Sequence, residues 1–126
     1  MVHADADLVA FVDRGPIRPG HLLIVPRLHV EAFEALPAAL MAKVAEPSQR
    51  LARAQKRLYG VDRVAFLFTG TDIPHVHAHL VPMHEKTDIT SRRYIAETGL
   101  TFRALPTPPE AEMAATARDI AALLGG

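Results

Sequence analysis

Hydrophobic and polar positions alternate in several short stretches of the chain, and clusters of proline and glycine separate these stretches. Residues 7–13 and 21–26 are apolar and β-branched, and the RGPIRPG segment between them contains two prolines and two glycines. This composition predicts a β-hairpin. Residues 63–70 and 75–83 predict two further strands, and the short TDIP link between them suits antiparallel neighbours.

Helical spacing dominates two other parts of the chain. Residues 30–59 are rich in alanine, their large apolar side chains recur at helical spacing, and Gly60 follows as a typical stop signal. Pro47 lies inside this region and lacks a backbone donor, so we expect a kink or the start of a second segment there. Near the C-terminus, Thr107 predicts an N-cap and Pro108 the first position of a terminal helix.

Together these elements predict an α+β domain with a mostly antiparallel sheet, one long helix and a C-terminal helix. A polar loop is expected after the fourth strand, and residues 100–105 are expected to add one more strand. With 126 residues, 49% of them hydrophobic, the chain can bury a single core. We therefore predict one domain over residues 1–126, with the main motifs in residues 7–84 and a loop and helix in residues 85–126.

Charge and cysteine content narrow the classes of protein. The 14 basic and 14 acidic side chains balance, which disfavours a nucleic acid polymer as partner. There is no cysteine, which excludes disulfides and thiolate metal ligands. The N-terminal segment carries acids where a signal peptide carries bases, and no apolar run approaches the ~18 residues of a membrane span. We expect a cytoplasmic protein without a membrane partner.

The stretch HVHAHLVPMH contains four of the seven histidines, and three of them occupy alternate positions. On a strand, alternate side chains share a face, so His75, His77 and His79 would project together while Val76 and Ala78 face the opposite side. One face would then be apolar and suited to packing, and the other a row of imidazoles.

Three interpretations of this row remain open from the residues alone. The histidines could be the polar positions of a half-exposed strand, although three in succession are improbable by chance. They could ligate a metal, but a third or fourth ligand is needed and the nearest acids are Asp72 and Glu85. Imidazole also serves as nucleophile, base or acid near neutral pH, which predicts covalent or acid–base chemistry.

The sequence resembles the histidine triad (HIT) superfamily of nucleotide hydrolases and transferases over roughly residues 7–84. The alternating histidines of HVHAHLV, residues 75–81, are similar to its signature, and AFVDRGPIRPGHLLIVPRLHVEAFEALP, residues 10–37, resembles the upstream half of the same domain. The resemblance implies a HIT-like fold with about five antiparallel strands, and a homodimer.

The resemblance also implies roles for individual residues. His77 would attack the α-phosphorus of a nucleotide and form a nucleotidyl-imidazole without a metal or other cofactor. His79 would donate to the phosphate or leaving group, His75 would hold the array and the tautomer of His77, and His21 would approach the catalytic ring. Asp13 would bind the ribose hydroxyls.

The segment before the triad departs from the family pattern. Members commonly carry Asn, Gly and then Gln or Ser in a longer segment, whereas this chain has FTGTDIPHVH. We expect Thr69 and Thr71 to contact the nucleotide here. Asp72 would repel a phosphate if it pointed inward, which puts dinucleoside polyphosphates in doubt as substrates.

Other positions carry weaker expectations. Arg92 and Arg93 could form a paired phosphate contact or lie in a solvated loop, and His29 is interpreted mainly as a packing or capping residue. His3 and His84 carry no site assignment. The N-terminal strand and the cysteine pair of many members are missing from the sequence pattern, so no structural zinc is expected.

The leading hypothesis is a hydrolase that cleaves purine nucleotide conjugates at the α-phosphate through nucleotidyl-His77. Phosphoramidates and dinucleoside polyphosphates are the candidate substrates. A nucleotidyltransferase using the same intermediate is one alternative, a nucleotide-binding regulatory module with little catalysis is another, and a metal-dependent hydrolase is a third.

Overall fold

The computed structural model describes residues 1–69, 73–89 and 106–124. Within these residues, five antiparallel strands form one sheet, and two α-helices complete the α+β fold. The order of strands across the sheet is β1-β2-β3-β5-β4. In chain order the elements are β1 His3–Ala4, β2 Leu8–Val12, β3 Leu22–Pro26, α1 Ala38–Tyr59, β4 Arg63–Phe68, β5 Ala78–Met83 and α2 Glu110–Leu124.

The predicted hairpin and the pairing of the third and fourth predicted strands are confirmed. Strand β2 pairs antiparallel with β3, and β4 pairs antiparallel with β5. The fifth strand, however, is β1 at the N-terminus, where the sequence pattern indicated none. A two-residue strand is too short to show alternation, and the residues 100–105 predicted for this role lie outside the described part of the chain.

The long helix begins later than predicted. Leu36 precedes Pro37 and has an extended backbone, because a proline disfavours helical geometry in the residue before it. Residues Phe33–Ala35 form only a short 3-10 turn, and α1 starts at Ala38. The helix then continues through Pro47, so no second segment starts there.

The strand that carries the histidines and the C-terminal helix also start later than the sequence predicts. Strand β5 starts at Ala78 rather than at residue 75, since the amide of Val76 donates to the carbonyl of Val30 outside the sheet. Helix α2 starts at Glu110, beyond Pro108, and the Met113 amide donates to the Pro109 carbonyl.

One face of the sheet packs against α1 and α2, and this contact forms the core. Alternation places Ala78 and Leu80 on that face, so the histidine of the same strand, His79, lies on the opposite one. No helix among the described residues is long and apolar enough to cross a membrane. The core consists mainly of Leu8, Ala10, Leu22, Ile24, Val44, Leu51, Ala54, Ala78, Leu80, Ala117 and Ile120.

Candidate functional site

The open face of the sheet brings together residues from four strand ends. His79 lies opposite Leu23 in the β3–β5 pairing, and His21 precedes β3 by one residue. Asp13 follows β2 and Thr69 follows β4, so both lie at the same end of the sheet as these histidines. The four residues come from separate parts of the sequence, and the antiparallel register is what makes them neighbours.

The hydrogen bonds of His21 and His79 fix where their protons lie. The backbone N–H of Ile17 donates to Nδ1 of His21 at 3.1 Å, so this nitrogen is an unprotonated acceptor. Nε2 of His21 therefore carries the proton and donates to Nδ1 of His79 at 2.9 Å. His79 in turn holds its proton on Nε2, where Thr69 Oγ1 accepts at 3.1 Å.

Both rings are held in the neutral form. Burial is the main cause that lowers the pKa of His21 to about 4, while the Asp13 carboxylate opposes the shift and His79 adds to it. Burial also lowers the pKa of His79, and His77 adds to this effect against the opposing charge of Asp13. At neutral pH the pair therefore presents one N–H donor, His79 Nε2, toward the open face.

His77 has the opposite proton arrangement. Its Nδ1 lies 2.8 Å from the carbonyl oxygen of His75, and because a carbonyl only accepts, Nδ1 must carry the proton. In neutral His77 the lone pair is therefore on Nε2. The ring packs edge to face against His79 with centroids 4.9 Å apart, which places an unprotonated nitrogen and a donor N–H on neighbouring rings.

His75 lies apart from the other two imidazoles. Its Nε2 donates to the Pro26 carbonyl at 2.8 Å, and its Nδ1 lies 2.8 Å from Nδ1 of His29. The three alternate histidines thus do not form one row of rings, because the segment before Ala78 leaves the sheet. It is the main chain of His75, rather than its side chain, that contacts His77.

Asp13 contacts both its own turn and the histidine pair. Its Oδ1 accepts from the Gly15 amide at 2.8 Å, and its Oδ2 lies 3.4 Å from His21 Nε2. The side chain is 20% exposed, so a ligand can still reach it. Thr71, Asp72, Arg92 and Arg93 lie outside the described residues.

Two clefts lie beside the neighbouring rings of His77 and His79. One, of about 200 Å³, is lined by His77 and Thr69, by the aromatic rings of Phe33 and Phe68, and by the acidic residues Glu31 and Glu34. The other, of about 310 Å³, is lined by His79 and Thr69, and by Ile17, Leu67, Val81, Asp88 and Ile89. Since Thr69 borders both clefts, they meet at the two catalytic candidates.

The sequence patterns did not identify Asp88 as part of this region. Its carboxylate accepts a hydrogen bond from Arg18 Nη2 at 2.7 Å and from the amides of His84 and Glu85. The bond to Arg18 is the main cause that lowers the pKa of Asp88 to about 2. The interaction joins the loop after β2 to the turn after β5, a separation in sequence that no local motif reveals.

A metal ion is the competing use of these residues. In the described part of the chain, ligand atoms of Asp13, His21 and His79 lie within 4.8 Å of one another. Binding through Nε2 of neutral His21 would move its proton to Nδ1, where it would face the Ile17 N–H. Two opposed donors are unfavourable, so this arrangement favours the proton chain over a metal.

Comparison with known proteins gives several relatives. An uncharacterized HIT-like protein from Methanocaldococcus jannaschii is 28% identical over 89 residues, 68% of this chain and 69% of that protein. The adenosine 5′-monophosphoramidase of Saccharomyces cerevisiae is 31% identical over 78 residues, 61% of this chain. The adenylylsulfatase of Arabidopsis thaliana is 27% identical over 90 residues, 68% of this chain. These alignments span 49% and 46% of the two enzymes, respectively.

Solved structures give the same fold. A HIT-like protein from Bartonella henselae superposes with a TM-score of 0.75 at 21% identity, covering 97% of this chain and 84% of that chain. The family model of the HIT domain matches residues 1–86, which is more than half of the sequence. The chain therefore belongs to the HIT family.

Proposed function

We propose that the protein is a nucleotide hydrolase that cleaves purine nucleotide conjugates at the α-phosphate. The observation that carries this proposal is the proton arrangement of two neighbouring rings. His77 exposes an unprotonated Nε2, as a nucleophile requires, and His79 beside it carries an N–H on Nε2, which can donate a hydrogen bond to the phosphate or leaving group.

The proposed reaction has two steps. The His77 Nε2 lone pair attacks the α-phosphorus, and the bond from phosphorus to the leaving nitrogen or oxygen breaks. The leaving group takes its electron pair and a proton from solvent, while the Nε2–H of His79 donates a hydrogen bond to it. A water molecule then attacks the phosphorus of nucleotidyl-His77 and loses a proton to solvent, and the bond from phosphorus to Nε2 breaks, which releases a nucleoside monophosphate and restores the neutral imidazole. Asp13 would bind the ribose and Thr69 would lie near the phosphate.

The cleft beside His79 supports amine or small leaving groups over polyphosphates. Its described lining is mostly aliphatic, and the charged residue among the described lining residues is Asp88, whose carboxylate is already paired with Arg18. A polyphosphate would need cations at this position. The two enzymes among the relatives, a monophosphoramidase and an adenylylsulfatase, agree with a small leaving group on an adenylyl moiety.

Intact-protein mass spectrometry tests this proposal. Wild type, His77→Ala and His84→Ala are mixed briefly with an adenosine phosphoramidate or a diadenosine polyphosphate, with a chelator present. His84 is an exposed histidine outside both clefts, so His84→Ala controls for the loss of an imidazole. We expect a nucleotidyl adduct and nucleoside monophosphate from wild type and His84→Ala, faster from the phosphoramidate, and neither from His77→Ala.

Other outcomes would support the alternatives. An adduct that passes its nucleotidyl group to added phosphate faster than to water would indicate a transferase. Nucleotide binding without adduct or product would indicate a regulatory module. Turnover that disappears with the chelator would assign the histidines to a metal-dependent hydrolase.

We also propose that the chain forms a homodimer and that residues 1–126 are one domain. Strand β4 is an edge of the sheet, and Phe66 on it is 46% exposed, a combination that favours pairing with another chain. Helix α2 buries Ala117 and Ile120 in the common core, which supports a single domain. Light scattering of wild type and Phe66→Asp tests the dimer, and a wild-type monomer would contradict it. A cytoplasmic location stays a prediction from the sequence.

A further inference from the structure

Gln55 of α1 is a fully buried polar side chain with two hydrogen bonds, one to the loop before β3 and one to β5. Its Nε2 donates to the carbonyl of Gly20 at 2.8 Å and to the carbonyl of Leu80 at 3.0 Å. Gly20 directly precedes His21, and Leu80 directly follows His79. One amide group therefore connects the two backbone segments that carry the hydrogen-bonded histidines.

This connection lies where the regular pairing of the strands stops. The β3–β5 ladder ends at the pair Leu22 and Leu80, so His21 is beyond its last paired residue. The amide of Gln55 supplies a cross-link at this end, from the helix side of the sheet, while the two imidazoles meet on the opposite side. The distance between the rings is then coupled to a contact in the core.

A second residue of α1 holds the same turn. Gly20 has a φ of +86°, and a Cβ added to it would lie 2.2 Å from Cε2 of Tyr59. Tyr59 follows Gln55 by one helical turn, so adjacent positions on one helix face fix the carbonyl and the Cα of Gly20. Because two side chains of α1 contact Gly20, the backbone directly before His21 is held in a defined position.

This arrangement has an energetic cost at Gln55 itself. Its Oε1 is buried and has no hydrogen-bond partner among the described residues. A buried acceptor without a partner is unfavourable, and an aliphatic side chain of the same size would avoid it. The two N–H donors are what an aliphatic side chain could not supply.

We propose that Gln55 is a positioning residue that sets the contact between His21 and His79 and thereby the tautomer of His79. The inference rests on the proposed function only for the role of His79 as hydrogen-bond donor to the substrate. Without the cross-link, His21 no longer donates reliably to Nδ1 of His79, and that nitrogen becomes free to take up a proton. His79 then exists as a mixture of tautomers and protonates at higher pH.

The test compares Gln55→Met with Ser48→Ala in the full chain. Methionine keeps the size of the side chain but lacks the donors. Ser48 is buried on the same helix, and its Oγ donates to the Val44 carbonyl within the helix rather than to the sheet. Long-range proton–nitrogen NMR spectra report the tautomer and the titration of each imidazole.

In wild type and Ser48→Ala we expect the His79 proton on Nε2. In Gln55→Met we expect signals of both tautomers, a titration midpoint at higher pH, and kcat lower by about tenfold with little change in KM. Wild-type spectra in Gln55→Met, or the same shift in Ser48→Ala, would overturn the proposal.

A second variant and a substrate-free readout allow the test to decide the role of Gln55 in every case. If Gln55→Met does not fold, Gln55→Asn retains an amide that is one methylene too short, and a shift of the His79 midpoint in the same direction is expected; an unchanged midpoint would contradict the proposal. If wild type hydrolyses no nucleotide, the proposed function fails, but the tautomer spectra still decide the role of Gln55 because they need no substrate.

Discussion

Acidification should weaken the folded protein through His21, a histidine that is 2% exposed. The unfolded chain takes up a proton on this ring as the pH falls through 6.5, whereas the folded chain resists protonation until a pKa of about 4. The unfolded state therefore binds more protons between these values. The contribution of His21 to stability is greatest above pH 6.5 and is lost as the pH is lowered through this window.

The size of the effect follows from the two pKa values. With 6.5 for the unfolded and about 4 for the folded chain, proton linkage predicts a loss of about 2 kcal/mol at about pH 5. At about pH 7.5 the corresponding loss is below about 0.1 kcal/mol. The carboxyl groups of Asp5 and Asp88 have pKa values of about 2, so they stay ionised across this range.

Urea denaturation of wild type and His21→Asn between about pH 7.5 and about pH 5 measures this loss. The asparagine side chain can still accept from the Ile17 amide but does not titrate. We expect His21→Asn to be less stable at neutral pH, and the gap to narrow by about 2 kcal/mol on acidification. Free energies that fall in parallel for both proteins would show that a buried neutral His21 is not the cause.

Three further predictions concern neighbouring residues. Gly20→Ala should destabilise by about 2 kcal/mol or more, since it combines a positive φ with a clash against Tyr59, whereas Gly60→Ala, with open space around it, should cost about 1 kcal/mol in the same urea assay. Asp13→Asn should lower kcat/KM about 10-fold or more for a ribonucleotide substrate and less for its 2′-deoxy analogue; equal losses would argue against ribose binding. Thr69→Val removes the acceptor for the imidazole N–H and should lower kcat about fivefold, and an unchanged rate would show that this bond does not orient the ring.

The sequence predicted the parts of the fold that depend on local pattern. Alternation over residues 8–12 and 22–26 identified the central hairpin, and alternating burial around His79 follows the predicted two-residue period even where the strand assignment fails. Helix propensity predicted the wrong start for α1. The alanine-rich composition indicated a helix from residue 30, but Pro37 keeps Leu36 extended, so the helix begins only at Ala38.

The proton arrangement of the site could not be predicted in this way. The motif names His77 and His79, but their tautomers depend on a carbonyl of His75 and on the amide of Ile17. Both are main-chain groups that carry no side-chain signature. Gln55 likewise contacts residues 35 and 25 positions away in sequence, and helical periodicity alone gives no reason to single it out.

The hydrogen bond from the Ile17 amide to His21 determines which substitutions the loop tolerates at position 17. An amide N–H does not titrate in the range where proteins fold, and nineteen of the twenty amino acids supply it. The loop can therefore change its side chain at position 17 without reversing the orientation of the imidazole protons. Proline is the exception, because it lacks the donor and would leave both tautomers of His21 available.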